Sequence, residues 1–277
     1  MYLTALEKEW LLLDELNFHK NLWEYVSKKG TWQEVFVAFV QYNTSYYLLK
    51  KLKKDDIIKN YYQQNKRIAL CVSEDNWNGK IQNIKSSIYK DKEDFYVEIQ
   101  KSYVFKGGLY LVVTKIKNDD NIAIIFLSEN PFIHFEERQE QKSKFYNPQN
   151  DLIMDHYKIH FKGKISKDNV EILLLNEYKK LSYVIPLREI STLSLVILGL
   201  YYYDNLLNIS RNKTKFLEEK QEIEEIKNQI LDMRKKSLLY KETKLLIERI
   251  IPFLDKLNRN EPQLESVKNL FLKYRIK

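Results

Sequence analysis

Residues 67–75 read Arg67-Ile-Ala-Leu-Cys-Val-Ser-Glu-Asp75, and residues 101–108 read Lys101-Ser-Tyr-Val-Phe-Lys-Gly-Gly108. In each, a β-prone apolar run gives way to turn-forming residues, the pattern of a strand entering a loop. The same pattern continues around them. Phe95-Tyr-Val-Glu-Ile99, Leu109-Tyr-Leu-Val-Val113, Ile122-Ala-Ile-Ile-Phe-Leu127, His156-Tyr-Lys-Ile-His-Phe161 and Val170-Glu-Ile-Leu-Leu174 are further short runs. Lys90-Asp-Lys-Glu-Asp94, Lys117-Asn-Asp-Asp-Asn121 and Lys162-Gly163 separate them as turns. Strands in series without long helices between them predict an antiparallel barrel or sandwich over residues 67–180. The polar segment 136–150 reads as an exposed loop.

Helical periods flank this section. Leu6, Trp10, Leu13 and Leu16, then Leu22, Tyr25 and Val26, recur at helical spacing. Gly30 ends one helix, and Thr31-Trp-Gln-Glu34 has the form of a capping box for the next, over about residues 32–52. Asp55 or Asp56 starts a short helix through Ile58, Tyr61 and Tyr62. On the C-terminal side, Pro186 stands near the start of a long apolar helix with Leu193, Val196, Ile197 and Leu200. Ile223, Ile226, Ile230 and Met233 mark a second helix, and Leu245, Leu246, Ile250 and Ile251 a third. A last short helix is expected around Val267 to Leu272. The expected fold is α+β and multi-domain: an N-terminal helical domain (1–66), a central antiparallel β domain (67–180) and a C-terminal helical bundle (181–277).

A chain of 277 residues buries a sizeable core as one domain or two. Its 44% hydrophobic and 30% charged content is that of a soluble globular protein. The single Cys71 excludes an intramolecular disulfide framework, and a reducing, cytoplasmic compartment is expected. The first residues carry charge early and lack a signal-peptide pattern. The longest apolar stretch, Ile190 to Tyr203, is too short to span a bilayer and reads as a buried helix. The net charge of +8 is spread along the chain, so it reads as solvated surface lysines and not as a nucleic-acid patch.

The residues of the two strand-end loops resemble those of the acyl-CoA dehydrogenases. In that family a strand ends in a Thr-Glu-Pro-Gly-x-Gly-Ser-Asp loop, a second ends in Trp-Ile-Thr-Asn-Gly, and the two loops hold the flavin. Here Ser73 takes the Thr position and Glu74 keeps the Glu. Asp75 replaces Pro, and Asn76-Trp-Asn-Gly-Lys80 replaces the small-residue portion. In the second loop Tyr103 takes the Trp position, Phe105 the Thr, Lys106 the Asn, and Gly107 is kept. Leu187 to Leu200 resembles the first long C-terminal helix, with its Leu198-Gly199. Phe216 to Met233 resembles the next, where Lys213 keeps the charge of an arginine that reaches the flavin of a neighbouring subunit. The family's remaining C-terminal helices have no room in residues 253–277.

The resemblance implies a helical, β, helical order and an FAD bed built from Ser73, Tyr103, Gly107 and Lys213. It implies proton abstraction from an acyl thioester, linked to CoA or to a carrier protein, with hydride leaving for the flavin. That chemistry requires a carboxylate kept out of bulk water. Some members carry it ten residues before the Leu-Gly glycine, the position of Glu189 here. Phe105 removes a donor and Trp77 adds bulk, so the expected FAD site is weakened. Two readings follow. One is a divergent protein that binds or oxidises an acyl thioester. The other is a non-catalytic subunit that forms a homo- or hetero-oligomer with an acyl-CoA dehydrogenase-like partner, or binds a carrier protein. His156 and His160 are four apart but lie in an alternating, strand-like pattern, so no metal site is expected.

Overall fold

The first two helices start where side chains replace lost backbone partners. Thr4 and Glu7 exchange bonds at the head of α1 (Ala5–Trp10): Thr4 N donates to Glu7 Oε2 at 2.7 Å, and Glu7 N to Thr4 Oγ1 at 3.2 Å. This is a reciprocal capping box. Asp14 caps α2 (Glu15–Lys29) by accepting from the amides of Leu16 and Asn17, and Gly30 closes it at φ 65°. The next helix begins with α3 (Gln33–Gln41), passes through a π-helical turn at Tyr42–Tyr46 and continues as α4 (Tyr47–Lys51). Every residue of that turn is buried. A short α5 (Asp55–Gln63) follows, opened by two aspartates that suit the positive helix end. The computed structural model describes residues 2–76, 80–137, 157–207, 213–236, 240–257 and 271.

Among the described residues, eight strands follow: β1 (Ile68–Cys71), β2 (Ser87–Asp91), β3 (Asp94–Val104), β4 (Leu109–Ile116), β5 (Ile122–Ser128), β6 (His134–Glu137), β7 (Tyr157–Ile165) and β8 (Val170–Leu173). They form one sheet in the order β6-β7-β3-β2-β4-β5-β8, with β1 also on β4. The sheet is mixed, where a purely antiparallel one was expected. β1 and β2 both run parallel to β4, with Ile68 to Cys71 opposite Leu109 to Val112 and Ser87 and Ile88 opposite Lys115 and Ile116. Alternation in a sequence reports which face a residue points to, and says nothing of the direction of its neighbour. β4 and β5 are buried almost throughout, as strands covered on both faces are. The expected strand start at His156, most of the loop at 136–150 and most of the helix at 267–272 lie outside the described residues.

Three long helices follow among the described residues: α6 (Leu175–Leu207), α7 (Lys213–Lys236) and α8 (Tyr240–Lys256). α6 begins at Leu175, so Pro186 lies inside it and not near its start. A proline there removes one backbone donor, and the apolar packing along the helix carries it regardless. By length and composition α6 is long and apolar enough to cross a bilayer, but 72% of its most apolar window is buried in the protein, as in a core helix.

Among the described residues, the chain gathers into two compact units. One comprises residues 2–8, 40–137 and 157–183, which is the sheet with most of α1, α4, α5 and the start of α6. The other comprises residues 9–39 and 184 onward, which is α2 and most of α3 with the rest of α6, α7 and α8. This grouping cuts across the three consecutive segments read from the sequence. In the second unit α2 packs closely on α6. A Cβ added at Gly199 would lie 2.9 Å from Val26 Cγ1, and one at Gly30 would lie 2.3 Å from the Tyr203 ring. Trp23 and Tyr202 add a ring contact at 5.9 Å. Replacing Gly199 with leucine is therefore expected to destabilise the protein by about 1–3 kcal/mol through overpacking, with alanine milder. A thermal melt checks this; an unmoved midpoint for Gly199→Leu contradicts the close helix contact.

Candidate functional site

The first loop is positioned by what holds β1. Glu7 is fully buried and accepts from Arg67, with Nη2 to Oε2 at 2.7 Å and Nε at 3.0 and 3.1 Å from the two carboxylate oxygens. Gln41 also donates to Glu7, and its own carbonyl oxygen accepts from Ile68 N at 3.1 Å. One buried carboxylate thus ties the head of α1, the end of α3 and the entry to β1.

At the far end of β1 the chain turns through Ser73, Glu74 and Asp75. Glu74 is buried, and its carboxylate accepts from Lys101 Nζ at 2.8 Å, Lys85 N at 2.6 Å and Ser86 N at 3.0 Å. Lys101 is fully buried on β3 and also donates to Val72 O at 3.1 Å. Burial lowers the Lys101 ammonium to about 8, because Glu74 restores only part of what desolvation removes. Against the upward pull of burial, Lys101 and the two amides hold Glu74 below its ordinary range. The pairing of β3 with β7 shifts register between Lys101 and Val104. This irregularity turns Ser102 toward the first loop, where its N–H donates to Ser73 O at 2.8 Å and its hydroxyl to Asp75 at 2.8 Å. Asp75 in turn pairs with Lys158 at 3.0 Å.

The second loop is closed in the same way. The Gly107 N–H donates to the buried Tyr110 hydroxyl at 3.1 Å, and Phe105 is itself buried. Lys106 places its ammonium 4.4 Å from the Tyr157 ring centre and 5.4 Å from that of Phe135. Ser73 lies beyond the far end of β1, against Ser102 on β3, whereas Gly107 and Gly108 lie against Arg67 and Ala69 at the entry to β1. Ser73 is half-buried, and its hydroxyl has no hydrogen-bond partner among the described residues. Tyr103 lies in β3 and Lys213 opens α7, but both side chains, like the loop residue Trp77, lie outside what is described.

Glu189 belongs to the other unit, on α6. It is half-buried, and among the described residues no cation or donor contacts its carboxylate. Burial alone raises its carboxyl from the ordinary value to about 7. Its neighbour Arg188 turns instead to Glu15, at 2.9 Å, and Arg234 meets the same carboxylate. The two guanidiniums outweigh burial and hold Glu15 down to about 2. His19 bonds the Glu15 carbonyl at 2.7 Å and the Thr192 hydroxyl at 2.9 Å, and burial lowers it to about 3, so the ring is neutral.

Sequence reasoning missed Lys101 and this arginine cluster. Lys101 was within reach, because Val97, Ile99 and Lys101 share one parity on β3 and all three are buried. The meeting of Glu15, Arg188 and Arg234 joins distant parts of the chain and leaves no local signal. An open cavity of about 690 Å³ beside the β4–β5 turn is lined by Lys85, Ser87, Glu98, Lys115 and Lys117 among others, and by none of the predicted residues. Among the described residues no group of three or more His, Cys, Asp or Glu is placed to hold a metal. His156 lies outside them.

No protein-family model and no curated protein sequence matches the chain. Solved structures do match it. A glutaryl-CoA dehydrogenase from Mycobacterium smegmatis, in complex with FADH2, superimposes at TM-score 0.64 over 96% of this chain and 79% of that one, with 10% identity. Butyryl-CoA dehydrogenase from Megasphaera elsdenii gives 0.67 over 95% and 78%, with 10% identity. A prolyl acyl carrier protein oxidase gives 0.67 over 97% and 83%, with 12% identity. The chain has an acyl-CoA dehydrogenase-like fold.

Within that fold, several of the described groups in the two loops are engaged within the chain. At the position where the resemblance calls for a hydroxyl donor stands the buried Phe105. The Gly107 amide is committed to Tyr110, and the Glu74 and Asp75 carboxylates of the first loop are committed to Lys101, Ser102 and Lys158. Ser73 alone keeps an uncommitted hydroxyl among the predicted contacts that are described.

The Glu189 carboxyl gives a pH-dependent prediction. With its folded value raised to about 7, the folded protein keeps a proton that the unfolded chain releases near 4.5. Its contribution is fully present below that lower value and is lost as pH rises toward 7. Glu189→Gln is therefore expected to gain roughly 1–2 kcal/mol over the parent chain at pH 8 and nothing at pH 4. Urea unfolding at the two pH values checks this; an equal difference at both contradicts an uncompensated carboxylate.

Proposed function

We propose that this protein is a divergent acyl-CoA dehydrogenase-like chain that binds an acyl thioester, with a weakened FAD site. The observation that carries the reading is Glu189, a half-buried carboxylate on the long core helix with no compensating charge among the described residues. A carboxylate left in that state costs stability, so its presence favours a role outside the fold itself. The acid form can donate a hydrogen bond to an acyl carbonyl, and the anion can take a proton from the adjacent carbon. The solved structures that share this fold include CoA dehydrogenases and a carrier-protein oxidase, which supports a thioester of either kind as the ligand class.

The second reading, a non-catalytic subunit that completes an acyl-CoA dehydrogenase-like partner, has an observation of its own. Leu206, Leu217, Tyr240 and Leu245 expose 39–62% of their surface on the C-terminal helices. Scattered exposed apolar residues are ordinary, but four on one group of helices favour an interface.

Calorimetric titration with short- and long-chain acyl-CoA, against CoA alone as control, separates the two readings. On the first, acyl-CoA binds with a dissociation constant in the ~μM range, and affinity changes across pH 6–8 as Glu189 ionises. Glu189→Gln should remove that pH dependence. Failure of every acyl-CoA to bind sinks the first reading, and sedimentation analysis with a full-length relative then tests the second.

A further inference from the structure

We propose that His134 and His160 form a two-imidazole site for a late-transition-metal divalent ion, of which Zn²⁺ is the probe, and that the ion clips edge strand β6 to β7. The site stands apart from Glu189 and from the proposed thioester chemistry.

Among the described residues, β6 stands at one end of the sheet order, with β7 beside it, and four residue pairs join the two strands. His134 lies directly opposite His160 in that pairing. Residues so placed leave the same face of the sheet with their Cβ atoms about 4.5–5.5 Å apart. That face meets solvent: Tyr157 and Ile159 of β7 point inward and are buried, while the alternate residues Lys158 and His160 point outward. His134 is exposed, and the His160 side chain keeps 37% of its surface. Their ring centres are 6.3 Å apart, with the planes inclined at 44°. Two imidazoles that share one ion hold it about 2.0–2.1 Å from each nitrogen, which sets their ring centres roughly 5–6 Å apart. A small rotation of two solvent-facing side chains closes the difference and leaves the backbone where it is.

Neutral imidazole nitrogen suits Zn²⁺, Ni²⁺ and Cu²⁺, whereas Mg²⁺ and Ca²⁺ take oxygen. Glu136 follows His134 on the same face of β6, and its Oε2 lies 3.8 Å from His160 Nε2. Its negative charge favours a cation there. Lys158, opposite Glu136, lies 3.7 Å from that carboxylate and 3.0 Å from Asp75, so acid flanks its positive charge on both sides. Among the described residues no group of three such ligands is assembled. Water therefore completes the coordination, and the ion is held less tightly than in a closed structural site. In the sequence, the neighbour offered to His160 is His156, four residues away; the sheet supplies His134 from the adjoining strand instead. An ion shared by the two rings ties an edge strand of four residues to the interior of the sheet, and stabilises the folded chain by binding to it alone.

The test titrates the full chain, stripped of metal and of any histidine tag, with Zn²⁺ by calorimetry, and with Mg²⁺ as control. The expected result is one Zn²⁺ per chain with a dissociation constant of roughly 10–100 μM, and no response to Mg²⁺. A thermal melt in about 1 mM Zn²⁺ should rise by a few degrees. His134→Ala and His160→Ala should each weaken Zn²⁺ binding at least tenfold and remove that rise. Both replace solvent-facing side chains, so their metal-free midpoints should stay close to that of the parent chain. Zn²⁺ affinity weaker than about 1 mM, an equal response to Mg²⁺, or unchanged affinity in either variant overturns the proposal. Affinity lost in His156→Ala and kept in His134→Ala overturns it as well, and assigns the ion to the pair adjacent in sequence.

Discussion

The contact on which the rest of the sheet unit depends is the buried bond between Glu7 and Arg67. Neither charge reaches solvent enough to be satisfied by it, so each is viable only with the other. Glu7 cannot make the bond without the capping turn at Thr4 that orients it, nor can Arg67 without the start of β1. Gln41 fixes the third corner and hands the constraint to the backbone at Ile68. A contact between residues 60 positions apart thereby sets where β1 begins, and so where the first loop ends up.

The chain treats its buried and half-buried carboxylates in two ways. Glu7, Glu74 and Glu15 are each surrounded by cations or donors, and Glu15 and Glu74 are held below their ordinary ranges. Glu189 has no such surround among the described residues and is pushed the other way. The difference is one of environment, since all four are the same side chain. A compensated carboxylate builds structure. An uncompensated one keeps its capacity to exchange a proton near neutral pH.

Much of the architecture was legible in the sequence because it rests on local patterns. Helical spacing placed α2, α3 and α7, Gly30 marked the end of α2, and alternation placed the strands. What escaped was non-local. The parallel pairing of β1 and β2 with β4 depends on which strands meet, which periodicity does not encode. The start of α6 was hidden because Pro186 reads as a helix beginning when met in sequence, while tertiary packing carries the helix through it. At the site, the substitutions at Ser73 and Phe105 were plain to see. Lys101 was not, because a lysine in a strand is ordinarily taken for a solvent-facing residue. Only its parity with Val97 and Ile99 pointed inward.

Gly199 bears on what a resemblance between sequences means. The Leu198-Gly199 pair was among the residues that made this chain look familiar, and the structure gives it a steric role: α2 lies where a side chain at Gly199 would have to go. Such a residue is a spacer between two helices and takes no part in any reaction. A protein of this fold has to keep its helices at that distance whatever chemistry it carries out. Signatures of this sort will therefore persist in chains that have taken up other work, and a match to them identifies a shape inherited independently of its former use.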